Sequence, residues 1–238
     1  RQVLLSAGAE ESQIMAKLQP IATDMHALGN PWISYSVYLN NSFLPGLLQL
    51  MILLVTVFSI GSEMKRATSR EWLRTADDSI IIAITGKLIP QTIIFFSMGL
   101  LYLSLLYGYL HFPMHNSIWH MIFAMFLLVV ASQSFAVIIM CFAPSLRIGL
   151  SVCCLVGVLS LSIAGFSFPV PAMYLPFQAI SYVLPVRHYF LIYVDQALNG
   201  IPLYYSRVHY VALILFAVAS TPLLPRLKKA LMRQVYVP

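Results

Sequence analysis

Phe43 to Ser62 reads FLPGLLQLMILLVTVFSIGS, twenty residues without a charge. A helix rises about 1.5 Å per residue, so this stretch matches the roughly 30 Å of hydrocarbon in a bilayer and predicts a membrane-spanning helix. The composition of the whole chain agrees. Of 238 residues, 60% are hydrophobic and 9% charged, with a mean hydropathy of +0.83, whereas a soluble domain carries about 25% charged residues. A soluble globular enzyme is excluded, and the fold class expected is an all-α polytopic membrane protein.

Outward from Phe43–Ser62, the apolar runs predict five spans, at about 43–62, 80–110, 118–143, 148–168 and 208–224. Pro144 closes the third and Pro169 the fourth. Residues 1–41 read as the end of an extracytoplasmic region, with Trp32, Tyr35 and Tyr38 suited to a membrane interface, and 42–238 as the membrane domain. Residue 1 is Arg and no signal-type apolar core follows it, so the chain reads as part of a longer product.

Sorting Lys and Arg between the two sides gives ten against four. Lys65, Arg66, Arg70, Arg74, Lys87, Arg147, Arg226, Lys228, Lys229 and Arg233 fall on one side, which the positive-inside rule makes cytoplasmic. The N-terminal segment is then outside, the basic tail RLKKALMR inside, and all six histidines lie on or near the outer side. The basic balance is explained by topology, so no nucleic-acid partner is expected. Cys141, Cys153 and Cys154 lie inside apolar runs without a ligand set beside them, so neither a disulfide framework nor a metal site is expected.

Several chemistries lack their machinery. Thr85-Gly86-Lys87 is only a fragment of a phosphate loop, and there is no HExxH pair, nucleophile elbow or carboxylate dyad. No catalytic residue is expected. The membrane interior holds almost no ionisable group, Lys87 being close enough to its end to snorkel, which disfavours an ion-coupled carrier.

Two polar or broken segments remain. Ser62–Asp78, SEMKRATSREWLRTADD, has Thr68 and Glu71 at capping-box spacing, which predicts a short helix fastened by Trp72 and Leu73. This loop, residues 63–79, either docks a cytoplasmic partner or lies on anionic lipid. Phe166–Gly200 carries Pro169, Pro171, Pro176 and Pro185 and predicts re-entrant or interfacial helices at Phe177–Leu184 and Val186–Asn199, within a re-entrant segment of 169–200. Arg187 and Asp195 either pair there or face solvent and headgroups. Phe95, Phe96, Met98, Phe123 and Met125 are candidates for an adaptable apolar pathway, or for ordinary helix and lipid contacts.

These segments in this order carry a resemblance. The loop, then Gly86-Lys87-Leu88-Ile89-Pro90 opening a span, then the FP…P…LP…YF…LNG stretch before the last span, resembles permease subunits of type-2 ATP-binding-cassette (ABC) exporters, particularly the bacterial multidrug-efflux branch, over about residues 28–238. In that family the loop forms a coupling helix seated on a separate ATPase subunit. Glu63, Arg66, Thr68, Glu71 and Leu73 fall where its Glu-Arg-Glu-x-Gly-Thr-x-Glu-x-Leu pattern places comparable residues. Here the glycine position is Ala67 and the second acid is Lys65.

The resemblance implies ATPase coupling through Glu63, Arg66, Thr68, Glu71 and Leu73, with Trp72 beside them; the broken backbone of 169–200, tolerated at depth only where it is buried or lines a cavity, independently predicts an extracytoplasmic gate at Pro169, Pro176, Pro185, Arg187 and Asp195. The resemblance also implies export of a drug-like or lipid-like amphiphile across the bacterial inner membrane, six spans in the whole subunit, and ATP and Mg on the partner ATPase. It further implies a second permease copy or paralogue, and a periplasmic adaptor and outer-membrane channel as possible partners. The competing readings are a non-transporting membrane scaffold and a secondary carrier.

Overall fold

A computed structural model describes residues 35–233; the extracytoplasmic reading of 1–41, Trp32 included, falls mostly outside them. Among the described residues the chain forms nine α-helices and no strand. In order these are α1 (Tyr35–Lys65), α2 (Ser69–Arg74), α3 (Ile80–Leu103, prolonged by a π-helical turn Ser104–Tyr109), α4 (Ile118–Phe142) and α5 (Leu146–Ile163). There follow α6 (Leu175–Tyr182), α7 (Pro185–Tyr193, prolonged by a π-helical turn Val194–Leu198), α8 (Leu203–Val218) and α9 (Leu224–Met232). Five helical stretches are long and apolar enough to cross a membrane: Tyr35–Lys65, Ile80–Tyr109, Ile118–Phe142, Leu146–Ile163 and Leu203–Met232.

The expected spans are all present, and the first, fourth and last have different bounds; the fourth runs Leu146–Ile163 and ends where Gly165 turns the chain at φ +103, five residues before the expected end at Phe168. α1 begins eight residues before Phe43 because its polar start feeds its own backbone. Asn41 Nδ2 donates to the Val37 carbonyl at 2.9 Å and Ser42 Oγ to the Tyr38 carbonyl at 2.8 Å. Such back-bonding keeps polar side chains satisfied inside a helix. At the other end, α8 stops at Val218, the chain turns once through Thr221–Leu223 at Pro222, and the basic tail folds as a separate helix, α9.

α4 is the axle of the bundle. It is apolar on every side, as a helix surrounded by others must be, and 67% of its most apolar stretch is buried against 44% in α1. α1, α3, α5, α7, α8 and α9 all pack on it. The amide in its middle, Gln133, is matched: Gln133 Oε1 accepts from Thr92 Oγ1 at 2.8 Å and Gln133 Nε2 donates to the Leu88 carbonyl at 3.3 Å, both on α3. Hydrocarbon offers no substitute for such partners.

α1 and α5 approach through small residues. A Cβ on Gly61 would lie 3.1 Å from the Cα of Leu146, at the first turn of α5. Close backbone approach replaces the hydrophobic drive that lipid cannot supply between apolar helices. Gly61→Val is therefore expected to lower stability by about 1–3 kcal/mol, because the neighbour is backbone and cannot step aside. Thermal unfolding of the detergent-solubilised protein measures this, and an unchanged midpoint contradicts the seam.

Candidate functional site

The Lys and Arg side chains of α2, α9 and the segment joining α1 to α2 gather at one end of the bundle, here the basic end; α6 and α7 lie at the other. At the basic end three elements are tied by one knot. Lys87 Nζ, two turns into α3, donates to Glu63 Oε1 at 2.7 Å and to the Ser59 carbonyl at 2.8 Å, both in the last turns of α1. The same ammonium stands 4.5 Å over the ring of Trp72 on α2, a favourable cation–π placement. Salt bridge, carbonyl and ring together satisfy the only charge within the apolar run of α3.

The capping box expected from Thr68 and Glu71 is not formed. Thr68 occupies the N-cap position and its carbonyl accepts from Trp72 N at 3.0 Å, but its side chain makes no cap bond. The hydroxyl instead donates to the Glu63 carboxylate, and a charged acceptor holds a hydroxyl more strongly than a neutral partner does. Glu71 is exposed, as are Arg66, Arg70 and Arg74. Leu73 points the other way: 1% exposed, it belongs to the core shared by α1, α3, α4 and α9. The six loop residues thus divide into a knot (Glu63, Thr68, Trp72), an anchor (Leu73) and an open face (Arg66, Glu71).

Ala67, which stands where the family pattern has glycine, has φ +58. That is the left-handed region, where a Cβ crowds the following carbonyl. Asp77 and Asp78, at φ +50 and +55, are left-handed too, a conformation that short polar side chains tolerate better than Ala does. They turn the chain from α2 into α3, whose N-cap Ser79 accepts from Ile82 N.

At the opposite end Pro169 leads into a single 3₁₀ turn, Val170–Ala172, and Pro176 and Pro185 sit in the first turns of α6 and α7. Proline suits a first turn, where its missing N–H is no loss, so both helices start slightly before the expected bounds. The first free N–H of α7, at Val186, donates 2.8 Å to Gln49 Oε1, and Gln49 Nε2 donates 3.2 Å to Ser160 Oγ. One glutamine on α1 thereby caps α7 and holds α5.

Arg187 and Asp195 do not pair. Arg187 is buried, its Nη1 donating to the Ala164 carbonyl at 3.1 Å and its guanidinium lying 4.6 Å over the Tyr182 ring. Gly165 makes this possible twice over: its φ is +103, and a Cβ there would lie 2.7 Å from Nη1. Asp195 accepts from Ser206 Oγ at 2.9 Å, and Ser206 Oγ in turn accepts from Gln196 Nε2 at 2.8 Å. Beside them His188 Nδ1 stands 3.4 Å from His209 Nδ1, while His188 Nε2 contacts the Tyr182 carbonyl at 3.0 Å. These contacts bind α7 to α8.

Of the five pathway candidates, Phe95 and Met98 share one site. With Leu44, Pro45, Met51 and Tyr102 they line an apolar groove of about 250 Å³ between α1 and α3. Phe96 packs edge-on against Phe126, Phe123 stacks on Tyr210, and Met125 is fully buried against Gly99. Sequence reasoning left Gln49, Gln133 and the Lys87–Glu63 pair without partners. The available signal was the rarity of a lone polar side chain in an apolar run, which demands a partner without naming it.

A family model described as ABC-2 family transporter protein matches residues 1–224. No curated protein and no solved structure matches the chain.

Ala67→Gly is expected to stabilise the protein by about 1 kcal/mol by removing the left-handed penalty, read as a raised unfolding midpoint. In a cycle of Glu63→Gln, Lys87→Met and the double variant, the pair is expected to couple by about 1 kcal/mol, limited by partial exposure. Additive effects contradict the knot.

Proposed function

The chain belongs to the ABC-2 transporter family, and on that premise we propose that its basic end is cytoplasmic and that α2 is the helix on which a separate ATPase subunit docks. As a member of that family the chain is a multi-pass permease subunit, a transport component that works with an ATPase rather than an enzyme itself. The observation that carries the docking assignment is the division of α2 into two faces. Leu73 and Trp72 fix it to α1 and α3, while Glu71 and Arg74 are left open. A helix held rigidly on one side and charged on the other is suited to transmit motion from a polar partner.

The reaction we propose is export, across a bacterial inner membrane, of a hydrophobic or amphiphilic substrate, drug-like or lipid-like. Two ATPase subunits, carrying ATP and Mg, would face two permease subunits, this chain and a second copy or a paralogue; a periplasmic adaptor and outer-membrane channel would extend the route. Nucleotide drives the cycle only by favouring one conformation through differential binding. The lateral groove with Phe95 and Met98 is the proposed entry for substrate from lipid, since apolar, adaptable side chains accept amphiphiles of varied shape. Pro169, Pro176, Pro185, Arg187 and Asp195 lie in the proposed outer gate, where α6 and α7 cover the ends of the spans.

Charge reversal on the open face tests the docking. Glu71→Lys with Arg74→Glu is expected to leave membrane insertion and the unfolding midpoint unchanged and to reduce recovery of an ABC ATPase by about tenfold in pull-downs of the full-length protein. Leu73→Asp is expected to lower the unfolding midpoint, because Leu73 faces the core. If the wild type recovers no ATPase, the scaffold reading takes the lead.

A further inference from the structure

The C-terminal helix α9, LPRLKKALM, has the pattern of a membrane-surface helix: Leu224, Leu227 and Leu231 on one face, Arg226, Lys229 and Arg233 exposed on the other. It does not turn its apolar face to lipid. All three leucines are buried in the core that contains Leu73 and Ala76 of the docking loop and Ile80 of α3. Two hydrogen bonds run in opposite directions across the contact. Lys228 Nζ donates to the Asp78 carbonyl at 2.6 Å, and Arg70 Nη2, from α2, donates to the Met232 carbonyl at 3.2 Å. The second places a cation on the free carbonyls at the end of a helix, where it is favoured.

The base of α9 is clamped as well. Ser220 N donates to Ser134 Oγ at 3.2 Å, and Cys141 Sγ contacts the Leu223 carbonyl at 3.5 Å, so the corner between α8 and α9 is tied to the central helix α4. Arg226 adds a contact with the Phe142 ring, 4.7 Å from its centroid, at the end of α4. α2 is therefore connected to α9, and through that corner to α8 and α4, by contacts separate from the short links to α1 and α3.

We propose that α9 is the lever by which the docked helix α2 acts on the last span and the central helix, with Leu227, Lys228 and Leu231 as positioning residues for coupling. This rests on the reading of α2 as the ATPase-docking helix. Coupling carried by packed elements of this kind is expected to be worth about five- to 150-fold.

The test uses the full-length permease with its ATPase in liposomes and compares ATP hydrolysis by the complex with that of the free ATPase subunit. The wild type is expected to change the rate. Leu227→Ala with Lys228→Met is expected to retain the bound ATPase but let its rate return to within about twofold of the free subunit. Leu227→Met with Lys228→Arg, which keeps the apolar contact and the donor, is expected to restore control. A folded Leu227→Ala, Lys228→Met variant that still imposes the wild-type rate overturns the lever, as does one that loses the ATPase altogether. Should that variant fail to insert, Lys228→Met alone is judged by the same two readouts. A wild type that binds no ATPase, or does not alter its rate, instead fails the docking reading.

Discussion

Inside hydrocarbon a polar group has only the protein to turn to, and that constraint governs this structure more than any apolar contact does. Lipid solvates leucine as well as another leucine would, so apolar burial between spans selects poorly among arrangements. The few polar side chains select strongly, because each must find its partners within the protein. Gln133 fixes α4 against α3, Gln49 fixes α1 against α5 and α7, and Lys87 fixes α3 against α1 and α2. The apolar surface then fills in around these ties.

The two ends of the bundle are built on opposite plans. At the basic end a buried leucine and a charge knot hold a short helix whose outer face is free. At the other end α7 is held by a backbone carbonyl, a glutamine cap and an aromatic ring over its buried guanidinium, while α6 beside it is largely exposed. α4 and α8 join them. α8 receives α9 at its lower end and touches α7 along its upper half, so the last span meets both sets of constraints.

The spans were legible because hydrophobic length is a local property, and five apolar runs became five helices. The proline-bounded helices were legible for the same reason, with starts displaced only by the tolerance of proline in a first turn. What was not legible depended on distant residues. Gln49 and Ser160 are separated by 111 positions, and no periodicity announces that pairing. The capping box failed because Glu63, one turn before it, offered Thr68 a charged acceptor. Leu73 fitted the loop's pattern, and only packing revealed that it faces the core. Ala67 was visible as a departure from glycine, but its meaning came from the backbone angle.

The contact between the two imidazoles has a direction. The Tyr182 carbonyl can only accept, so Nε2 of His188 carries the hydrogen. A neutral imidazole has one N–H; Nδ1 of His188 is then the acceptor, and Nδ1 of His209 must be the donor. The tautomers of both rings follow from a single backbone oxygen. A further proton on His188 would make its Nδ1 a donor, and the contact would then require His209 in its other tautomer, with Nδ1 accepting. The charge on His188 thus sets the direction in which one bond of the α7–α8 seam runs, while the Asp195–Ser206–Gln196 ties beside it are the same in either case.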